Sequence, residues 1–145
     1  MDRSILIRKY YEEKQFVDSN ILSFNNFIEK GLQEVVDENK EAEPAIIPHN
    51  IEKFKIRFGR MTVGKPEITE ADGSKRPIYP MEARLRKITY YAPIFLEVST
   101  YINDVQRENF IAEVGKMPIM LKSKFCNLNG LPREELIKHG EDPSD

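Results

Sequence analysis

The sequence predicts an α+β fold in which amino-terminal helices pack on a mixed, mainly antiparallel β-sheet. Apolar residues recur at three- and four-residue steps up to residue 39, and between residues 52 and 63 they recur at every second position. The 145 residues, 40% of them hydrophobic, are enough for one compact core. We therefore expect a single domain over residues 1–145, with a helical part in 1–39, a β-rich part in 52–125 and a short helix in 131–140.

Two helices are predicted in the first part of the chain. The first covers Arg3 to Lys14, and the second has Asp18 or Ser19 as its N-cap. The apolar face of the second helix is formed by Ile21, Phe24, Phe27, Ile28, Leu32, Val35 and Val36. The polar stretch from Glu38 to Pro48, with two prolines, indicates a connector to the β-rich part.

A strand with one buried face is predicted between residues 52 and 63. Its alternating apolar side chains are Phe54, Ile56 and Phe58, followed by Met61 and Val63. Lys53, Lys55 and Arg57 point to the opposite face. Further along, Asp72-Gly73 predicts a hairpin turn within Glu67 to Pro80.

The remaining elements are a helical turn, two stretches of strand and a last helix. The helical turn is predicted from Met81 to Lys87 and the final helix within Pro132 to Gly140, where proline comes first and glycine last. Strand character extends from Ile88 to Ile102, interrupted at Pro93, and resumes from Glu108 to Leu121.

Composition excludes several classes of protein. The 22 basic and 24 acidic residues nearly cancel, so no global field holds the chain on nucleic acid or membrane, and any such binding must be local. The single cysteine, Cys126, excludes an internal disulfide and a cysteine-based zinc site, and we expect it to be buried. His49 and His139 lack ligand spacing and are predicted at the surface. The apolar run of residues 5–7 is too short for a signal peptide or a membrane span, so we expect a cytoplasmic protein with no membrane partner.

One segment has the spacing of a phosphate-binding loop. Gly59 to Lys65 matches that pattern, but the next residue is Pro66, which offers neither the hydroxyl for magnesium nor an amide for phosphate. The turn at Asp72-Gly73 also arrives before any helix could begin. These residues favour a strand and turn over a nucleotide site.

Half of the positive charge lies in three segments. Its eleven residues are Lys53, Lys55, Arg57, Arg60, Lys65, Arg84, Arg86, Lys87, Lys116, Lys122 and Lys124. Neighbouring strands would unite them into a patch that attracts phosphate without sequence preference. Alternatively, their long stems cover the outer face of a one-sided sheet, an interpretation we favour for the residues between 53 and 57.

Four of these cations are candidates to face nucleic acid: Arg84, Arg86, Lys122 and Lys124. Glu82 lies within one turn of both arginines, so an internal ion-pair network is the first expectation there, and contact with a ligand the second. The two lysines end an apolar stretch and are placed to reach nucleic acid or the acidic surface of a partner.

The sequence contains no arrangement that predicts catalysis by the chain itself. Metal-dependent phosphoryl transfer needs carboxylates that hold two ions, but the nearest acidic cluster, Glu38 with Glu41 to Glu43, lies in the connector. Neither histidine is placed to activate a serine. We predict no catalytic, cofactor-binding or metal-binding residue. Tyr90 and Tyr91 could stack on bases, but packing in the strand is the favoured interpretation.

Several short motifs, in order, resemble one known family. They are Phe16-Val17-Asp18, Ser23 to Phe27, Phe58-Gly59, Gly64-Lys65-Pro66, Asp72-Gly73, Tyr79-Pro80, Glu82 to Arg86, Thr89-Tyr90 and Met117 to Cys126. The chain resembles the amino-terminal region, called the protrusion, of the second-largest subunit of archaeal and eukaryotic DNA-directed RNA polymerase. In archaea that subunit is made either as one polypeptide or as two, from a split gene. The short link from Asn103 to Arg107 lacks the acidic insertion often seen in eukaryotic members, which favours an archaeal source.

The resemblance implies a role without chemistry of its own. In this family the largest subunit mainly holds the catalytic Mg²⁺, and the second-largest forms the opposite wall of the DNA cleft. The implied partners are the other polymerase subunits, DNA and the RNA–DNA hybrid, initiation factors and NusG-like elongation factors. The family continues beyond this region with a glycine-rich segment, whereas this chain stops at Asp142 to Asp145, so we expect a fragment with an incomplete sheet. The alternative is a free-standing interaction module with the same fold.

Overall fold

The computed structural model describes residues 2–13, 17–44, 49 and 53–141. The helices are α1 (Arg3–Glu13), α2 (Asp18–Asn26), α3 (Leu32–Glu38), α4 (Pro80–Leu85) and α5 (Arg133–Lys138), and a π-helical turn (Phe27–Gly31) joins α2 to α3. The strands are β1 (Glu41–Ala42), β2 (Phe54–Val63), β3 (Glu67–Thr69), β4 (Lys75–Pro77), β5 (Tyr91–Ile102) and β6 (Val105–Pro118). This composition confirms the α+β prediction.

Some predicted boundaries fall outside the described residues. They are the end of the first helix at Lys14, the motif residue Phe16, the end of the connector at Pro48, the strand start at Glu52 and the chain end from Asp142 to Asp145.

The main sheet has four strands in the order β1-β2-β5-β6, and every neighbouring pair is antiparallel. Phe58 lies opposite Val98, which in turn lies opposite Phe110, so these three positions share one face. Strands β3 and β4 form a separate hairpin. Its turn confirms the prediction at Asp72-Gly73, because Gly73 has a φ of 85° and Asp72 Oδ1 accepts a 2.9 Å hydrogen bond from the amide of Ser74.

The N-cap of α2 lies one residue before the first of the two predicted positions. Val17 is the capping residue of α2 and provides no side-chain hydrogen bond, so the prediction of Asp18 or Ser19 as N-cap is wrong. Asp18 instead lies in the first turn, where a carboxylate interacts favourably with the helix dipole.

The buried stripe of this layer is narrower than the sequence indicates. Ile28 and Val36 are buried, whereas Phe27 and Val35 are 46% and 55% exposed and lie on its flank. The predicted apolar face was therefore too wide.

The core consists of two clusters on the helical side of the sheet. The larger contains the buried residues Ile28, Ala92, Ile119, Cys126 and Leu128. The smaller contains Val36, Leu96 and Val98, with partly buried side chains from β2 packed against them. Cys126 is fully buried, as predicted.

A β-bulge in β2 explains its apolar pattern. Phe58 pairs with Val98 and Met61 pairs with Leu96, so Gly59 and Arg60 together lie opposite the single residue Glu97. Both Phe58 and Met61 consequently pack on the smaller cluster although they are three residues apart, and the predicted unbroken alternation is wrong here. A Cβ at residue 59 would lie 3.1 Å from a Glu97 carboxylate oxygen, so the bulge has room only for glycine unless Glu97 moves.

Strand β5 runs through Pro93 without the predicted interruption. Pro93 is paired with Lys116, and its carbonyl accepts a hydrogen bond from the amide of Gly64, just past the end of β2. Since N and C=O of a residue in an antiparallel strand point to the same side, the missing N–H of Pro93 faces Gly64, the first residue past the end of β2. The proline therefore removes no hydrogen bond to β2.

Three further predicted boundaries need correction. The turn between β5 and β6 contains only Asn103 and Asp104, both with positive φ, so Arg107 belongs to β6 and not to a link. Strand β6 spans Val105–Pro118 instead of Glu108 to Leu121. Part of the expected connector is also a strand, because Glu41 and Ala42 pair with β2.

Candidate nucleic-acid interface

The four predicted site residues lie on two segments at one end of the sheet. Arg84 belongs to α4 and Arg86 caps its carboxyl end, just before the chain enters β5. Lys122 and Lys124 lie in the turns that follow β6, and not at the end of a strand as predicted. The amide of Ile119 donates a 3.0 Å hydrogen bond to the carbonyl of Tyr90, which joins the two segments beside the last β5–β6 pair.

An ion-pair network is present at Glu82, but its centre is Arg76, which the sequence analysis missed. The guanidinium of Arg76 donates two hydrogen bonds to the carboxylate of Glu82 and a third, 2.6 Å long, to Glu70. Arg86 lies at 3.5 Å from Glu82 and 3.9 Å from Glu70, while Arg84 is outside the network. The hydrogen bonds from Arg76 hold the pKa of Glu82 below its usual value.

Lys124 has partners within the chain. Its ammonium donates a 2.8 Å hydrogen bond to Glu29, and its amide donates one of 3.0 Å to the carboxamide of Asn25. Its carbonyl accepts a 2.7 Å hydrogen bond from the ammonium of Lys65. Lys124 therefore attaches the turn to the helical layer, and its charge is partly neutralised.

The other two candidates are exposed and have no such partners. Within the described part of the chain, the side chains of Arg84 and Lys122 make no ion pair and no hydrogen bond, and the same holds for Lys87. Lys87 and Lys122 both have positive φ, 56° and 65°, and each lies in a turn. We call Arg84, Lys87 and Lys122 the free cations.

The three cations between residues 53 and 57 are paired with carboxylates of the chain. Lys55 and Arg57 lie 2.6 and 3.5 Å from the carboxylate of Glu41 on β1, and Lys53 lies 3.1 Å from Asp104. The hydrogen bond from Lys55 lowers the pKa of Glu41. Lys55 and Arg57 are therefore paired between neighbouring strands, and Lys53 is paired with the turn that joins β5 to β6.

The hydroxyl groups of Tyr90 and Tyr91 also contact other side chains of the chain. Burial raises the pKa of Tyr90, whose hydroxyl lies 3.3 Å from Cys126 Sγ, and the packing interpretation is confirmed for this residue. The hydroxyl of Tyr91 accepts a 3.1 Å hydrogen bond from the ammonium of Lys116.

Asn127 connects the segments of the site by hydrogen bonds and was not predicted. Its side-chain amide donates hydrogen bonds of 2.7 and 2.8 Å to the carbonyls of Pro66 and Ile78, and its backbone amide donates one to the hydroxyl of Tyr90. It joins three segments that are far apart in sequence, so no local pattern could have identified it.

The histidines differ from each other in exposure. His49 is exposed, as predicted. His139 is half-buried, because its ring stacks on Tyr79 with 3.5 Å between centroids and 26% of its side chain is exposed.

The described residues hold no group of three or more His, Cys, Asp or Glu side chains close enough to bind a metal ion. The segment that resembles a phosphate-binding loop, Gly59 to Lys65, is the end of β2 and the residues just after it. None of the helices in the described ranges has both the length and the apolar character needed to cross a bilayer.

Comparisons with known proteins agree with the resemblance found in the sequence. Residues 15–145 match the model of a family described as RNA polymerase beta subunit. The chain is 45% identical over 144 residues to DNA-directed RNA polymerase subunit Rpo2N of Methanocaldococcus jannaschii, covering 97% of this chain and 28% of that protein. It is 38% identical to subunit Rpo2 of Saccharolobus solfataricus, covering 99% of this chain and 12% of that protein.

A third relative, subunit Rpo2N of Halobacterium salinarum, is 38% identical over 150 residues, covering 99% of this chain and 29% of that protein. The chain thus spans less than a third of each of these relatives. Since the family model covers nearly all of it, the chain belongs to the RNA polymerase beta subunit family.

Proposed function

We propose that this chain is a non-catalytic, amino-terminal segment of the second-largest subunit of DNA-directed RNA polymerase, and that it forms part of the wall of the DNA cleft. The observation that carries the proposal is the family match over residues 15–145. In this role the chain supports DNA-templated RNA synthesis, while other parts of a multisubunit enzyme perform the nucleotidyl transfer.

The partners follow from this role. They are the other polymerase subunits, DNA and the RNA–DNA hybrid, initiation factors and a NusG-like elongation factor. The catalytic Mg²⁺ is held mainly by the largest subunit and not by this chain. The assembled enzyme acts in the cytoplasm.

The free cations are the part of this surface that faces nucleic acid. Arg86 and Lys124 are held by carboxylates of the chain, so their charges are less available to phosphate. Arg84, Lys87 and Lys122 have no carboxylate partner among the described residues, and phosphate contacts of this kind are independent of base sequence.

The test is a salt titration of a reconstituted polymerase that carries Arg84→Ala and Lys122→Ala together. Loss of two phosphate contacts should shorten the lifetime of transcribing complexes and reduce the slope of log affinity against log salt by about two. Lys53→Ala with Lys138→Ala is the matched control, since both lysines are exposed and ion-paired with carboxylates of the chain. An unchanged slope in the first variant would reject the nucleic-acid role.

A second candidate function is a free-standing interaction module. It is favoured by exposed apolar side chains beside the free cations, with Leu85 at 76%, Ile88 at 40% and Leu121 at 39% exposure. Affinity purification from cells separates the two candidates. A polymerase segment should be recovered with the other subunits in stoichiometric amounts, whereas a module should be recovered without them.

A further inference from the structure

Two of the free cations occupy backbone positions that favour glycine. Lys87 and Lys122 have φ of 56° and 65°, in the left-handed region where the Cβ of an L-residue crowds its own backbone. Among the described residues, every other position with positive φ holds Gly, Asn or Asp, the residue types that adopt this conformation most readily. The two lysines are therefore exceptions that need an explanation.

Lys87 is the first residue past the C-cap of α4, and the chain has a matched position after α5. The amide of Ile88 donates a 3.0 Å hydrogen bond to the carbonyl of Ala83, and the amide of Lys87 donates one of 3.2 Å to the carbonyl of Arg84. Two hydrogen bonds of the same kind, spanning five and three residues, close α5. There the equivalent position is Gly140, the usual residue in this motif.

Lys122 also has a matched position that holds glycine. It is the third residue of the turn from Met120 to Ser123, which is closed by a 3.2 Å hydrogen bond between the main-chain groups of its ends. The turn from Leu128 to Leu131 is closed in the same way at 3.3 Å, and its third residue is Gly130. Among the described residues, no atom beyond the chain neighbours lies within 4 Å of a Cβ built at residue 130. Glycine is thus explained there by backbone conformation alone.

The fold gives no reason for lysine at either position. A side chain in the left-handed region destabilises a turn relative to glycine. Within the described structure neither lysine compensates for this, because both residues are exposed and neither side chain makes an ion pair or a hydrogen bond. Backbone strain that the fold does not require is concentrated at functional positions. The two side chains are therefore explained by a contact outside the chain.

Both lysines lie at the same end of the sheet. The hydrogen bond from the amide of Ile119 to the carbonyl of Tyr90 lies just past the last β5–β6 pair. Lys87 comes three residues before Tyr90, and Lys122 comes three residues after Ile119. Three residues span at most about 11 Å, so both turns stay close to this hydrogen bond.

We propose that Lys87 and Lys122 form a two-lysine site for the phosphate groups of a nucleic-acid strand, and that glycine at either position would stabilise its turn but abolish its phosphate contact. A lysine ammonium binds phosphate as a point charge and needs no fixed orientation, which suits side chains carried on exposed turns. The inference rests on the proposed function, since it identifies which residues of that surface hold phosphate.

The test is a reconstituted polymerase that carries Lys87→Gly and Lys122→Gly together. Relative to the intrinsic rates, hydrogen exchange at the amides of Ile88 and Ser123, which close the two turns, should slow about fivefold because the strain is relieved. The slope of log affinity for DNA against log salt should fall by about two, since two phosphate contacts are lost. A purely structural role of the lysines cannot produce firmer turns together with weaker binding. Faster exchange, or an unchanged slope, would overturn the proposal.

Two matched variants separate charge from strain. Lys87→Arg with Lys122→Arg keeps both charges and both side chains, so the salt slope should stay at its original value, and a fall of about two would overturn the proposal. Gly130→Lys places a side chain in the matched turn and should accelerate exchange at the amide of Leu131 about fivefold. Unchanged exchange there would contradict the strain on which the inference depends.

The salt slopes also distinguish this inference from the proposed function. A slope lowered by Arg84→Ala with Lys122→Ala, but not by the two glycine substitutions, contradicts this inference alone. Unchanged slopes in both enzymes contradict the nucleic-acid role of the whole surface. Release of a protein factor from the glycine variant at an unchanged slope would assign the lysines to an acidic protein surface, and would equally overturn the phosphate site.

Discussion

Asn25 of α2 and Lys124 of the turn after β6 are 99 residues apart in sequence, yet the carboxamide of Asn25 accepts a 3.0 Å hydrogen bond from the amide of Lys124. Asn25 is one of two buried polar residues among those described, and it is 7% exposed. A buried amide with a satisfied hydrogen bond stabilises a specific arrangement, because breaking the bond leaves an unpaired group.

Replacement of Asn25 by Leu should destabilise the chain. The amide of Lys124 would lose its acceptor in a partly buried place, which costs about 1–3 kcal/mol. Urea unfolding measures the change. Asn25→Asp is the control, since it retains the acceptor oxygen and should be closer to the original stability. Equal losses in both variants would show that shape, and not the hydrogen bond, determines the effect.

The Arg76–Glu82 pair predicts a specific dependence of stability on acid. The pKa of Glu82 is lowered from its ordinary value of 4.5 by hydrogen bonds from Arg76. The pair therefore contributes stability that is fully present above pH 4.5 and is lost as the pH falls through the lower pKa of the folded state.

The measurement is urea unfolding of the original chain and of Arg76→Met at several pH values. Both should lose stability in acid, but the original should lose more, so the difference between them should shrink below pH 4.5. Arg133→Met, a change at an exposed arginine of α5, is the control. A constant difference from pH 7 to pH 3 would contradict the role of Glu82.

The stacking of His139 on Tyr79 predicts a stabilising role for α5. The ring planes are 11° apart and the centroids 3.5 Å apart, so His139→Ala should lower stability by about 1 kcal/mol. His139→Phe retains an aromatic ring and should preserve most of the stability. Thermal unfolding compares the variants, and an unaffected His139→Ala melting temperature would be inconsistent with a structural stack.

The turn between β5 and β6 predicts a stabilising substitution. Asn103 and Asp104 have φ of 51° and 64°, a combination that Asn-Gly adopts with less strain. Asp104→Gly should therefore raise stability by about 0.5–1 kcal/mol, even though it removes the exposed ion pair with Lys53. Asp104→Val, which is β-branched, should lower it. Chemical unfolding of the three proteins decides the order.

The parts of the fold that could be predicted are those set by neighbours in sequence. The Asp72-Gly73 hairpin depends on its turn residues and is found where expected. Helix α4 begins at Pro80, one residue before the predicted helical turn, and ends two residues before it. Strand β1 and the inclusion of Pro93 in β5 depend on which chain lies alongside, and sequence periodicity does not contain that information.

The candidate site shows the same division. The Glu82–Arg86 pair could be predicted because the two residues are four positions apart in a helical turn. The stronger partner, Arg76, lies on β4 and approaches through the fold, as does Glu29, which pairs with Lys124 across 95 residues. A cation of this surface is neutralised or free according to whether such a long-range pair forms, and the residue type alone does not reveal this.

The hairpin of β5 and β6, the longest in the described part of the chain, is flanked by β2 along most of its length. Strand β5 has twelve residues, about 40 Å, and β2 accompanies it to the far end, where Phe54 lies opposite Ile102. An isolated two-stranded ribbon is marginally stable and bends readily, whereas three strands that share hydrogen bonds resist bending. We therefore expect a force on the far tip to displace the three strands together, with less bending than an isolated hairpin would show.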